Sequence, residues 1–194
     1  MNQTRKWRHN KPNAARFLWS TLFLLVCHGA ALAAEEVAIS AAEISAEINA
    51  KGAKAVITRL SSAHVNAMGQ SDWSRTMDQI WNGRVAFIAL APKLAQGADG
   101  KSAEDLSTAL ARALPAAPEA VLRVIDRRNG PVLGVGRICA VPFAEPSSQD
   151  TSGYLRAAQS AVDDVDTPRL QHVRAACLDQ LALAARQLDP RPGK

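Results

Sequence analysis

Residues 71–125 read SDWSRTMDQIWNGRVAFIALAPKLAQGADGKSAEDLSTALARALPAAPEAVLRVI, and this stretch decides the fold class. Ser71 before Asp72 suits a helix N-cap followed by an acidic first turn. Trp73, Met77, Ile80 and Trp81 follow at i, i+4, i+7 and i+8, one face of a helix, which makes both tryptophans core anchors by default. Asn82-Gly83 closes that helix, because glycine accepts the left-handed conformation a helix end needs. A second apolar run, Val85, Phe87, Ile88, Ala91 and Leu94, comes so soon that an αα-hairpin is expected. Pro92 predicts a bend or short break within it. Gly97 to Gly100 reads as a loop, and Ser102 with Asp105 resembles a capping box for the next helix. Leu106, Ala109, Leu110, Ala113 and Leu114 form its apolar face before Pro115 stops it. Pro118 then suits the first turn of a helix carrying Val121, Leu122 and Ile125.

Towards the C-terminus, a helix is expected from about Thr151 to Val165 on Tyr154, Ala158, Ala161, Val162 and Val165. Thr167 and Pro168 then start a last helix, with Leu170, Val173, Cys177, Leu181, Ala184 and Leu188 along one stripe. Between these parts, Asp126 to Asp150 carries six glycines and prolines and reads as one irregular loop, with a short strand or helical turn near Ile138. Towards the N-terminus, Ser40 and Glu43 have the spacing of a capping box. Ile44, Ile48, Val56 and Leu60 lie near a helical stripe, and Gly52 marks either a weak point or a boundary between two helices. The fold expected is all-α: a single domain of about six helices in αα-hairpin or bundle-like packing. Its divisions are a secretory signal peptide over 1–33, an N-terminal helical arm over 34–70, a helical core over 71–188 and a disordered tail over 189–194.

The signal-peptide reading rests on three features. Arg5, Lys6, Arg8, Lys11 and Arg16 make a basic start, Phe17 to Val26 is largely apolar, and Ala31-Leu32-Ala33 offers a small-x-small cleavage site. The apolar run is short for a membrane span. Cys27 follows Val26, where a lipid-modified cysteine needs a small residue. The leader's five basic residues account for the whole net charge of +5, so the mature chain is expected to be neutral. A neutral chain whose aromatics are Trp73, Trp81, Phe87, Phe143 and Tyr154 has no basic aromatic stripe for nucleic acid. No stable membrane insertion is expected after cleavage, and the location expected is periplasmic or secreted.

Cys139 and Cys177 remain after cleavage, and an even pair in an exported protein is most simply a disulfide. The alternative is two unpaired thiols. Other motifs carry less. Gly97 to Ser102 ends in Gly-Lys-Ser, but the first glycine of a P-loop is replaced by Ala95 and the preceding segment reads as helix. Gly134-Val135-Gly136 lacks the third glycine of a dinucleotide fingerprint. Asp163, Asp164 and Asp166 lack the spacing of a calcium loop. His64 and His172 have no metal-ligand spacing and no nucleophile elbow to serve. No catalytic residue, cofactor or metal is therefore assigned. A tryptophan exposed beside the Asp99 loop would be an interface candidate, and Trp81 and Asp99 are taken as the candidate interface residues on that condition.

Four pieces carry a resemblance: Ile80-Trp81-Asn82-Gly83; LSTALARALPAAPEAVL over 106–122; Ile138-Cys139 with Pro142-Phe143 and Glu145-Pro146; and Tyr154-Leu155 with Arg174 and Cys177-Leu178. Together they resemble a group of small exported proteobacterial proteins with no assigned activity. The resemblance covers roughly Trp73 to Ala185 and implies export, a helical fold and the cysteine pair. It implies no catalytic residues. The architecture is also similar to small, disulfide-bearing immunity proteins that neutralise secreted wall-degrading toxins, an analogy no motif carries. The leading expectation is an exported, non-catalytic protein-binding module with a protein partner in the envelope. The alternatives are an envelope-acting enzyme with His64 as acid/base, an immunity-type inhibitor, and a structural or stress-related envelope protein.

Overall fold

The computed structural model describes residues 40–62, 65, 68–142 and 148–188. The expected leader over 1–33, His64, Phe143 and the 189–194 tail lie outside the described residues. All described elements are helical, and the only extended pairing among them is a single bridge between Asp126 and Gly134. The all-α class therefore stands, built from more and shorter helices than the six read from periodicity.

Gly52 takes a φ of +82°, so the N-terminal stripe breaks into α1 (Ala41–Lys51) and α2 (Ala53–Ser62). Ser40 occupies the N-cap of α1, but its side chain makes no cap bond, so the expected box with Glu43 does not form. The arm is not a separate layer. Ile44, Ile48, Val56, Ile57 and Leu60 are buried in the same apolar cluster as the rest of the chain. An ion-pair network ties the arm further. Glu47 accepts from Lys51 and in a two-pronged contact from Arg59. Asp72 of the next helix faces both Arg59 and Arg75. The hydrogen bond from Arg59 is the main reason the Glu47 carboxyl is held below its usual range.

Helix α3 (Asp72–Trp81) begins as its sequence indicates, with Ser71 Oγ accepting from Ser74 N at 3.2 Å. It ends in a Schellman turn: Gly83 sits at φ +73°, its N–H donates to Ile80, and Arg84 N–H donates to Gln79. The return leg of the hairpin has the break expected near Pro92, which divides it into α4 (Val85–Ile88) and α5 (Ala91–Leu94). Pro92 lies in the first turn of α5, where its missing N–H leaves no helical bond unmade, so the break falls just before it.

The N-cap of helix α6 (Gly100–Ala113) lies three residues before the expected Ser102. Asp99 is the N-cap, and Ser102 is its reciprocal partner, accepting from Asp99 N at 2.9 Å. Asp105, expected to close a box with Ser102, instead accepts from Trp73 Nε1 at 3.0 Å and Lys101 Nζ at 2.7 Å. Trp73 meets α6 at Asp105, and Trp81 meets it at Arg112. The order is the same along both, so α3 and α6 run in one direction, with α4 and α5 as the return path between them.

Helix α7 (Pro118–Val124) follows Pro115 as read, and a loop then leads to α8 (Val135–Ile138), the helical turn anticipated near Ile138. Asp126 shapes this loop by accepting from Arg128 N and Gly130 N. Helices α9 (Ser148–Asp163) and α10 (Gln171–Leu188) form the closing pair, joined by a 3₁₀ turn over Pro168–Leu170. Arg174 of α10 donates to the Val162 and Asp163 carbonyls, so its cation covers the negative end of α9.

Tyr154 links the two halves of the core. Its hydroxyl donates to the Ala111 carbonyl at 2.9 Å, and burial pushes the phenol well above its usual range. Tyr154→Phe is expected to lower stability by about 1 kcal/mol, the net value of one such bond, measured by urea unfolding. An unchanged midpoint would show that the hydroxyl contributes nothing.

Candidate interaction site

The two tryptophans of α3 have opposite fates. Trp73 is buried, with its indole N–H bonded to Asp105. Trp81 is 47% exposed, so it is not the core anchor that periodicity assigns. The reason lies in position along the helix rather than around it. Trp81 is the last residue of α3 and extends past the buried layer to the end of α6. There the Arg112 guanidinium stacks over its ring, 4.2 Å from the centroid.

The turn after α3 brings more exposed residues to this end. The Arg84–Gln79 backbone bond holds residue 84 against the last turn of α3. Val85 follows at 63% exposure, and Asn82, Arg84 and Ala86 are exposed too. The turn lies against the end of α6: a Cβ on Gly83 would stand 3.2 Å from the Cβ of Ala116, itself exposed. Trp81, Arg84, Val85, Arg112 and Ala116 are thus gathered from two segments at one end of the fold.

Asp99 does not join them. Thirteen residues separate Asp99 from Arg112, and α6 rises about 1.5 Å per residue, so roughly 20 Å of helix lies between them. Asp99 is instead a structural residue: it caps α6, and its carboxylate receives Lys54 Nζ at 3.3 Å. That carboxylate occupies the start of the helix, where the Gly-Lys-Ser stretch would have to cradle a phosphate. The expected pairing of Trp81 with the Asp99 loop therefore gives way to Trp81 with Arg84, Val85 and Arg112. The exposure of Val85 was not legible in the periodic apolar run to which it belongs.

Cys139 and Cys177 form the expected disulfide, with Cα atoms 5.2 Å apart and both residues fully buried. It joins the end of α8 to the buried stripe of α10. Away from these residues, a shallow apolar cleft of about 410 Å³ lies between α5 and the 130–133 loop, lined by Pro92, Val124, Pro131 and Leu133. The one carboxylate on its wall, Asp126, is engaged by loop N–H groups. Asp163 is taken up by Arg174, and His172 is exposed on α10. Among the described residues, no cluster of His, Cys, Asp or Glu could hold a metal ion, and no helix is long and apolar enough to cross a membrane. Comparison with known protein families, curated proteins and solved structures gave no match for this chain.

Proposed function

We propose that this chain is an exported, non-catalytic protein-binding module that acts in the periplasm or outside the cell and recognises a protein partner through the Trp81 end of its fold. The observation that carries the reading is the half-exposed Trp81 on a rigid, capped and disulfide-stapled scaffold. Large aromatic side chains held at a surface lose little entropy on binding and dominate interface energetics. Export rests on the leader pattern in 1–33 and agrees with the disulfide, which persists in oxidising compartments.

Trp81→Ala is the test. The side chain is half solvated, so its removal is expected to lower stability by less than about 1 kcal/mol. Loss of a central aromatic anchor weakens an interface by about 2 kcal/mol or more, roughly thirty-fold in affinity. In-cell crosslinking followed by mass spectrometry should show one dominant, stoichiometric partner with the wild-type chain and none with the variant. Equal recovery from both would remove Trp81 from the interface, and recovery of only abundant bystanders would end the binding-module reading.

A further inference from the structure

The Trp81 end carries two cations, Arg84 and Arg112, against one acid a turn away on α3, Asp78, which accepts from the Gln70 amide. The mature chain expected from the sequence is neutral, yet two segments that meet here contain no acid. Residues 79–93 carry Arg84 and Lys93 without an Asp or Glu, and residues 106–118 carry Arg112 without one. The contact of Gly83 with Ala116 and the stacking of Arg112 on Trp81 bring the segments together. On the neighbouring α3, α6 and α7, Arg75 pairs with Asp72, Lys101 with Asp105 and Arg123 with Glu119. Arg84 is exposed and makes no ion pair among the described residues. Lys93 is turned away from this role, donating to Ser45 and Asn49 of α1.

Resting on the binding reading above, we infer that the partner presents an acidic segment, whose carboxylate meets Arg84 while an apolar side chain beside it covers Trp81 and Val85. Two features of the surface select that chemistry, and two other occupants fit it less well. A guanidinium recognises a carboxylate with two parallel hydrogen bonds, which gives orientation as well as attraction. Arg112 on the Trp81 ring adds positive potential to the same place and holds the indole in one orientation. A second copy of this chain is disfavoured as the occupant, because a two-fold contact through this end would set Arg84 and Arg112 against cations of the same kind. An extended anionic polymer fits poorly, since recognition of that kind uses a long basic track rather than one end of a neutral fold.

The experiment places a photo-crosslinking residue at the exposed Val85 of the full chain, expressed in its own cells, and identifies the attached peptide by mass spectrometry. The expected adduct is a partner peptide containing Asp or Glu. Its yield should fall at least tenfold with Arg84→Glu and by much less with Arg84→Lys, which keeps the charge but not the paired hydrogen bonds. Changing the partner's carboxylate to lysine should restore the adduct with Arg84→Glu. Thermal melts of both variants separate lost binding from lost folding. A protein adduct indifferent to Arg84→Glu would overturn the acidic partner and leave the binding module standing. An adduct only to a second copy of this chain or to lipid would overturn the acidic partner, and no adduct at all would overturn both readings.

Discussion

Replacing Cys139 and Cys177 together by alanine lowers the unfolding free energy by about 4 kcal/mol, the chain-entropy value for a crosslink spanning 38 residues. For a protein of this size, that corresponds to a fall in melting temperature of roughly 8 to 16 °C. The effect is large because of what the bridge spans. Between Cys139 and Cys177 lie residues 143–147, outside the described set, then α9 and the start of α10. Before Cys139 comes a segment whose regular structure is one four-residue helix and a single bridge. That segment is held by Val132, Leu133 and Ile138 against the core and by Asp126 within the loop. The crosslink removes unfolded-state freedom that these few contacts would otherwise have to overcome. Both cysteines are fully buried, so reductant should act only as the protein opens, and reduction should accelerate steeply with denaturant. Intact mass after alkylation in denaturant without reductant checks the premise. Label on both Cys139 and Cys177 would show that no bridge exists.

Gly97→Ala is expected to destabilise by about 3 kcal/mol, the upper range for forcing one extra carbon into a packed site. A Cβ built on Gly97 would lie 2.3 Å from the backbone nitrogen of Lys54, 2.7 Å from the carbonyl carbon of Ala53 and 2.8 Å from the Lys54 Cα. These are main-chain atoms in the first turn of α2, and they have little room to yield. Val56, Ile57 and Leu60 fix that helix in the core. The loop over 95–99 must therefore lift, loosening the Asp99 cap of α6 and its contact with Lys54. Gly153→Ala is the matching control. Its added Cβ meets nothing within 4 Å, and the position lies inside α9, so alanine should raise stability by about 0.5 to 1 kcal/mol. Urea unfolding of the two variants gives the comparison. Equal midpoints would mean that the close approach of α2 to the 95–99 loop does not constrain the fold in solution.

The Gly97 contact also shows where local reading stops. Glycine beside Asp99 and Gly100 reads as loop punctuation, and the loop is there. That its missing side chain makes room for α2 depends on a residue more than forty positions earlier, which no local pattern encodes. For the same reason, the arm and the core were legible as two helical regions but not as one apolar cluster. Capping shows the limit at shorter range. Asp99-x-x-Ser102 and Ser102-x-x-Asp105 overlap, and either could open the helix. Trp73 and Lys101 draw Asp105 into other bonds, and the Asp99–Ser102 pair takes the cap.

The sequence by itself determined the helical class, the start of α3 at Ser71 and its end at Gly83, and the stop at Pro115. Those features depend on residues within about one helical turn of each other. The tertiary structure decided which tryptophan is buried. Trp73 and Trp81 share one helical face, but a period of 3.6 residues describes direction around an axis and says nothing of where the neighbouring helices end. Trp73 lies within the layer formed with α6, whereas Trp81 stands at its edge beneath Arg112. The candidate interface exists because of that edge, and only the packing of α3, α4 and α6 creates it.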